Sequence, residues 1–219
     1  MNNLTLVIAN KNYSSWSLRA WLLMTQFKVN FQEVRIPLDT PDTPALMDTH
    51  SPNRRVPVLK IGKLSVWDSL AICETVNERF LQGAGWPSNP DLRAIGRSAC
   101  AEMHSAFGAL RQTMPMNCRR VVSGFTPDTA TQADIERMLA LLTACLTQSD
   151  GPFLLGRFSI ADAFFAPVAI RLRGYRIETP ELVTAWIDQL FDLPALQAWL
   201  DDAGNETETI DAEEVPDRG

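Results

Sequence analysis

The sequence predicts a small α/β domain followed by an all-helical one. Three observations carry this reading. From Met1 to about Phe80, short β-type runs alternate with helical stretches. Residues 81–90, LQGAGWPSNP, have the glycine and proline content of a linker. Beyond them the apolar spacing is helical throughout, and no internal repeat is apparent.

The elements follow in order. Leu4-Thr5-Leu6-Val7-Ile8-Ala9 is the first strand candidate. Leu18, Trp21, Leu22 and Thr25 then fall at i, i+3, i+4 and i+7, one face of a helix that starts near Tyr13-Ser14-Ser15-Trp16. Asn30–Ile36 supplies a second strand. Pro37, Pro41, Pro44 and Pro52 leave room only for a short helix around Ala45–His50. Val56–Ile61 and Leu64–Trp67 flank Gly62-Lys63, a two-residue hairpin signal. Asp68 can cap a helix whose buried face is Ile72, Val76 and Phe80. The order is therefore β-α-β-α-β-β-α. In the second half, helices are expected at Asp91–Thr113, Gln132–Thr147, Ile160–Arg173, Pro180–Phe191 and Pro194–Ala203. Ser159-Ile160-Ala161-Asp162 has capping-box form with Asp in place of Glu, which gives Asp162 a structural role.

Composition narrows the function classes. At 219 residues with 46% apolar and 21% charged content, the chain can bury a substantial core. Residues 205–219 hold six acids and one base, five of the chain's six net negative charges, so the body is close to neutral. A near-neutral body argues against a nucleic-acid surface. The acidic tail, 205–219, lacks apolar periodicity and is expected to be mobile and solvated. Cys73, Cys100, Cys118 and Cys145 form no C-x-x-C pair, which points to free thiols in a reducing, cytoplasmic setting. His50 and His104 are too far apart for a local ligand pair, so no metal is expected. The first apolar run is too short for a signal-peptide core, and no segment has the length of a membrane span.

Chemistry concentrates at Ser14 and Ser15. Adjacent hydroxyls follow a strand and open a helix, where unpaired N–H groups and a partial positive charge favour an anion. Taken alone, the doublet also reads as a plain helix cap. Three further motifs follow: Arg55-Val56-Pro57-Val58-Leu59, Asp68-Ser69-Leu70-Ala71-Ile72 and Ser159-Ile160-Ala161-Asp162.

This organisation and the four motifs resemble the cytosolic glutathione S-transferase superfamily over nearly the whole chain, excluding the acidic tail. The first motif is similar to the serine-type loop, and most of all to the zeta-like (maleylacetoacetate isomerase) pattern S-S-C-x-x-R-V, with Trp16 where that pattern has cysteine. The resemblance implies a thioredoxin-like glutathione-binding domain at 1–80, a linker at 81–90, a helical-bundle domain at 91–204 and a homodimer. It implies glutathione as substrate or recycled cofactor. Ser14, with Ser15 as the alternative, would stabilise its thiolate. Val56, before a cis-Pro57, would pair with its backbone. Ser69 would hold the γ-glutamyl carboxylate and Asp68 the ammonium, while Arg55 is either a partner of the glycyl carboxylate or a solvated charge. The residues expected beside a small electrophile are Trp16, the stripe His104, Phe107 and Arg111, and either Arg171 or Arg173. Arg119 and Arg120 lie in segments near the same cleft, and together these arginines suit an anionic electrophile. Glutathione transfer is the leading function. A glutathione-dependent cis–trans isomerase and a non-catalytic interaction module are the alternatives.

Overall fold

The computed structural model describes residues 4–217. Its first half contains β1 (Leu4–Ile8), α1 (Ser15–Gln26), β2 (Gln32–Arg35), α2 (Thr43–His50), β3 (Val58–Ile61), β4 (Leu64–Val66) and α3 (Ser69–Arg79), the expected thioredoxin-like order. The sheet runs β2-β1-β3-β4. The crossover through α1 makes β1 and β2 parallel, with Val7 opposite Val34. The hairpin at Gly62, whose left-handed φ of +60° favours glycine, makes β3 and β4 antiparallel. On one face of the sheet Val7 and Val58 pack with Ile36 and Met47 beneath α2.

The second half is helical: α4 (Pro90–Ser105), α5 (Gly108–Thr113), α6 (Thr129–Leu146), α7 (Ile160–Gly174), α8 (Glu181–Phe191) and α9 (Pro194–Asn205), followed by a 3₁₀ turn at Asp211–Glu213. Helix α7 is apolar nearly all round and buried along its length, as a central helix must be. It packs against α1, so one continuous core joins Leu18 and Leu22 to Phe164, Phe165 and Trp186. The capping box forms: Asp162 accepts from Ser159 N (2.8 Å), Ser159 Oγ (3.0 Å), Leu154 N (2.9 Å) and Trp186 Nε1 (3.0 Å). The segment between α3 and α4 is tied down, with Gly85 N donating to Asn77 Oδ1 (2.8 Å) and Trp86 buried.

Two expectations are corrected. The helix expected over Asp91–Thr113 is two helices, because Phe107 takes a left-handed φ of +60° and turns into the core. Arg111 then donates to the carbonyls of His104 (3.4 Å) and Ala106, which the end of α4 leaves without helical partners. The acidic tail is not a solvated end: residues 206–217 lie along the body as a strap. Glu206 accepts from Lys11 N (2.7 Å) and Asn12 N (3.0 Å), and Glu208 pairs with Arg35 at 2.7 Å. Farther along, Glu214 accepts from Tyr13 Oη (2.6 Å) and Asn117 Nδ2 (2.8 Å), and Asp217 from Ser123 N (2.8 Å).

Candidate active site

The start of α1, the turn before β3, the start of α3, the end of α4 and the strap enclose a cleft of about 900 Å³. Its floor is the serine loop. Ser14 is the N-cap of α1, and its Oγ accepts from Ser17 N (3.3 Å). The Ser14 hydroxyl in turn donates to Ser17 Oγ (2.7 Å), which is fully buried and also accepts from Ala9 N (3.1 Å). The backbone of β1 therefore fixes Ser17, and Ser17 fixes Ser14. Ser15, at the first helical position, also lines the cleft. Sequence reasoning gave Ser17 no role of its own, because a third hydroxyl in the loop looks like any other cap.

Trp16 sits beside the doublet and organises charge. The Arg19 guanidinium lies between the Trp16 ring (4.3 Å) and the Phe164 ring (4.2 Å), and Arg111 approaches the same indole at 5.6 Å. Arg19 is 1% exposed, and its Nε and Nη1 have no hydrogen-bond partner among the described residues. Burial brings its pKa down to about 9, which leaves it charged at neutral pH. An unpaired buried cation beneath the serine loop raises the local preference for an anion. The sequence motif contained Arg19, but nothing in its spacing marked it as buried.

The opposite wall is the turn before β3. The Val56–Pro57 bond is cis, and both residues line the cleft together with Arg55 and the unforeseen Arg54. Among the described residues, neither the Val56 N–H nor its carbonyl is hydrogen-bonded. Unpaired backbone groups at a strand edge are a template for an added strand. Asp68 caps α3 through Leu70 N (3.2 Å) and turns its other oxygen to His104 Nε2 at 3.2 Å. His104 in turn meets the edge of Trp16 at 5.3 Å, so α1, α3 and α4 converge on one histidine.

Arg171 enters from α7. Its Nε donates to Met114 O (2.7 Å) and its Nη1 to Pro167 O (3.3 Å), which leaves Nη2 for the cleft. Burial lowers its pKa to about 10.

Five residues are placed differently from expectation. Phe107 is in the core, because the break after α4 removes it from the stripe shared with His104 and Arg111. Arg173 is on the outer surface, paired with Asp188 at 2.6 Å and stacked over Phe191 at 3.8 Å. Ser69 is fully buried with an unpartnered Oγ and does not line the cleft. Arg119 and Arg120 are engaged by the strap: Arg119 donates to the carbonyls of Glu206 and Glu208, and Arg120 lies 3.4 Å from Glu214. Only Arg111 and Arg171 of the α5–α7 arginines reach the cleft. Two lining residues, Ile210 and Glu213, come from the strap and were not anticipated.

A model of the glutathione S-transferase N-terminal domain matches residues 13–79, and one of the C-terminal domain matches residues 99–202. The chain belongs to the glutathione S-transferase family. A theta class glutathione S-transferase from Xanthomonas axonopodis pv. citri, solved with glutathione bound, superposes with a TM-score of 0.65 at 26% identity, over 91% of this chain and 98% of that one. A glutathione transferase homologue from Burkholderia with bound glutathione gives 0.72 at 21% identity, covering 93% and 100%. Glutathione transferase F2 of Populus trichocarpa gives 0.69 at 17%, covering 93% and 100%. Among curated proteins, dichloromethane dehalogenase of Methylorubrum extorquens is 35% identical over 65 residues, 29% of this chain, and the match spans only 23% of that protein. In this transferase, no group of three or more His, Cys, Asp or Glu among the described residues could hold a metal ion, and no described helix is long and apolar enough to cross a membrane.

Proposed function

We propose that this protein binds glutathione in the cleft, holds its sulfur as thiolate at the α1 N-terminus, and transfers it to a small electrophile. The carrying observation is the braced hydroxyl of Ser14 at a helix N-terminus, facing unpaired Val56 backbone across the cleft. A thiol of pKa about 8.5 is only about 3% ionised at pH 7, and bringing it near 6.5 requires about 2.7 kcal/mol of preferential anion stabilisation. The helix terminus and a hydroxyl donor supply an interaction of that order, and buried Arg19 adds to it.

The Ser14–Ser17 pair offers a route to that donor. The Ser14 hydroxyl donates to Ser17 Oγ, and turning it away from Ser17 would present its proton to sulfur while Ser17 still accepts from Ala9 N. Backbone pairing at Val56 would orient the cysteinyl unit, the Asp68 carboxylate suits the ammonium, and Arg54 or Arg55 suits the glycyl carboxylate. For the γ-glutamyl carboxylate we look to the free N–H groups opening α3 rather than the enclosed Ser69 hydroxyl. The thiolate then attacks the electrophilic carbon. With an aryl chloride the C–S bond forms, the C–Cl bond breaks and chloride leaves with the bonding pair. Trp16 and His104 flank the space where that carbon would sit.

We assign the loop to the serine type and call it zeta-like, with Ser15 as the alternative donor. We further propose a cytoplasmic homodimer. Four free cysteines suit a reducing compartment, and the half-exposed Leu64 and Trp67 at the β4 edge suit a subunit contact. The test is titration of tryptophan fluorescence with glutathione, since Trp16 and Trp67 line the cleft, followed by turnover with halogenated aromatics, epoxides and maleyl-type acids. Saturable quenching with conjugation of at least one class is expected. Absence of quenching at millimolar glutathione would contradict the assignment.

A further inference from the structure

We propose that Glu213 of the C-terminal strap tunes which electrophile charge the cleft accepts, offsetting Arg171 so that anionic electrophiles are held less strongly than the cleft arginines alone would hold them. This inference rests on the transferase reading of the cleft. Strap residues 206–208 are held by Lys11, Asn12 and Arg35, and residues 214–217 by Tyr13, Asn117 and Ser123. Being fixed on both sides, the intervening segment is held against the body, and Ile210 and Glu213 become part of the cleft lining.

Glu213 differs from the other anchored acids of this strap. Glu206, Glu208, Glu214 and Asp217 each bind a partner on the body. The Glu213 carboxylate is half-buried and has no hydrogen bond or ion pair among the described residues. Burial pushes the Glu213 carboxyl above its usual range, and Arg171, which lines the same cleft and has one guanidinium nitrogen left after its two backbone contacts, opposes that shift. No ion pair joins the two, so Glu213 is not an anchor for the strap. Its effect is on the field between them: a carboxylate lining the same cleft as Arg171 offsets part of the attraction that guanidinium would exert on an anionic group. The second cleft arginine on this side, Arg111, already donates to two backbone carbonyls and stacks towards Trp16. With Glu213 in place, Arg111, Arg171 and Glu213 leave one net positive charge on the electrophile's side of the cleft; without it they leave two. Without its charge, Arg171 becomes a free partner for a carboxylate.

The experiment compares a chloronitrobenzoate with its methyl ester, an activated aryl chloride with and without an anionic group. Wild type, Glu213→Gln and Asp211→Asn are each measured for kcat/KM with glutathione and for quenching of tryptophan fluorescence by each compound. Glu213→Gln should raise kcat/KM and affinity for the acid about tenfold while changing the ester less than twofold. Asp211→Asn removes a strap charge that neither anchors the strap nor lines the cleft, and should leave the acid-to-ester ratio unchanged. An unchanged ratio in Glu213→Gln, equal changes for both compounds, or the same ratio change in Asp211→Asn would overturn the proposal. If neither compound is turned over but Glu213→Gln still binds the acid about tenfold more tightly, the inference about Glu213 stands and the transferase reading falls.

Discussion

A hydroxyl can favour a thiolate only if its proton points at sulfur, and at Ser14 that depends on Ser17. In the structure that proton goes to Ser17 Oγ, which also accepts from Ala9 N–H, so a bound thiolate must draw it away from Ser17. Replacing Ser14 by Ala should therefore lower kcat about a hundredfold, roughly 2.7 kcal/mol, and leave glutathione affinity within a few fold. Ser17→Ala should cause a smaller loss of the same kind, about tenfold in kcat, because Ser14 keeps its place as cap but loses its brace. Steady-state kinetics with a halogenated aromatic checks both. Equal losses in KM and none in kcat would mean that the hydroxyls only bind. The same measurement on Ser15→Ala separates the doublet. Ser14, Trp16, Val56 and Asp68 were legible as site residues because each sits in a short motif tied to an element boundary. Ser17 and Arg19 lie within the same motif, yet their roles depend on burial against β1 and α7, which a local pattern does not encode.

Among elements, α7 illustrates what a local pattern can specify. Ser159 and Asp162 announce a capping box, and the structure adds that Asp162 also receives Leu154 and Trp186. Asp162→Asn should destabilise the protein by about 3 kcal/mol, since an amide cannot accept from all four donors and leaves buried N–H groups unpaired. Urea unfolding would show this as a lower midpoint at unchanged slope. A loss below 1 kcal/mol would mean that water reaches the carboxylate. The division between α4 and α5 was not legible: Ala106-Phe107-Gly108 continues a helical apolar spacing, and only the packing of Phe107 into the core reverses the chain there. The strap was illegible for a different reason. Its partners, Lys11, Arg35 and Asn117, are about 100 to 200 residues away in sequence, and charge pairing at such range leaves no periodicity. Because its anchors are ionic or polar, the strap should be the first element to open as salt rises.

In the whole molecule, two domains share one core, with α1 packed on α7, so the serine loop is positioned by the helical half as much as by the sheet. This explains why a fold readable from domain order still left the electrophile's side of the cleft unread: that side is built from α4, α7 and the strap, brought together only by packing. The proposed dimer predicts a sedimentation mass of twice 24.4 kDa at micromolar concentration, whereas a single-chain mass would leave Leu64 and Trp67 without the proposed cover. The central claim is that the cleft ionises the glutathione sulfur, and the most direct measurement is the ultraviolet absorbance of thiolate in the protein–glutathione complex as a function of pH. The wild-type midpoint should lie near 6.5, about two pH units below free thiol, and move back towards 8.5 in Ser14→Ala. A wild-type midpoint equal to that of free glutathione, with glutathione demonstrably bound, would contradict it.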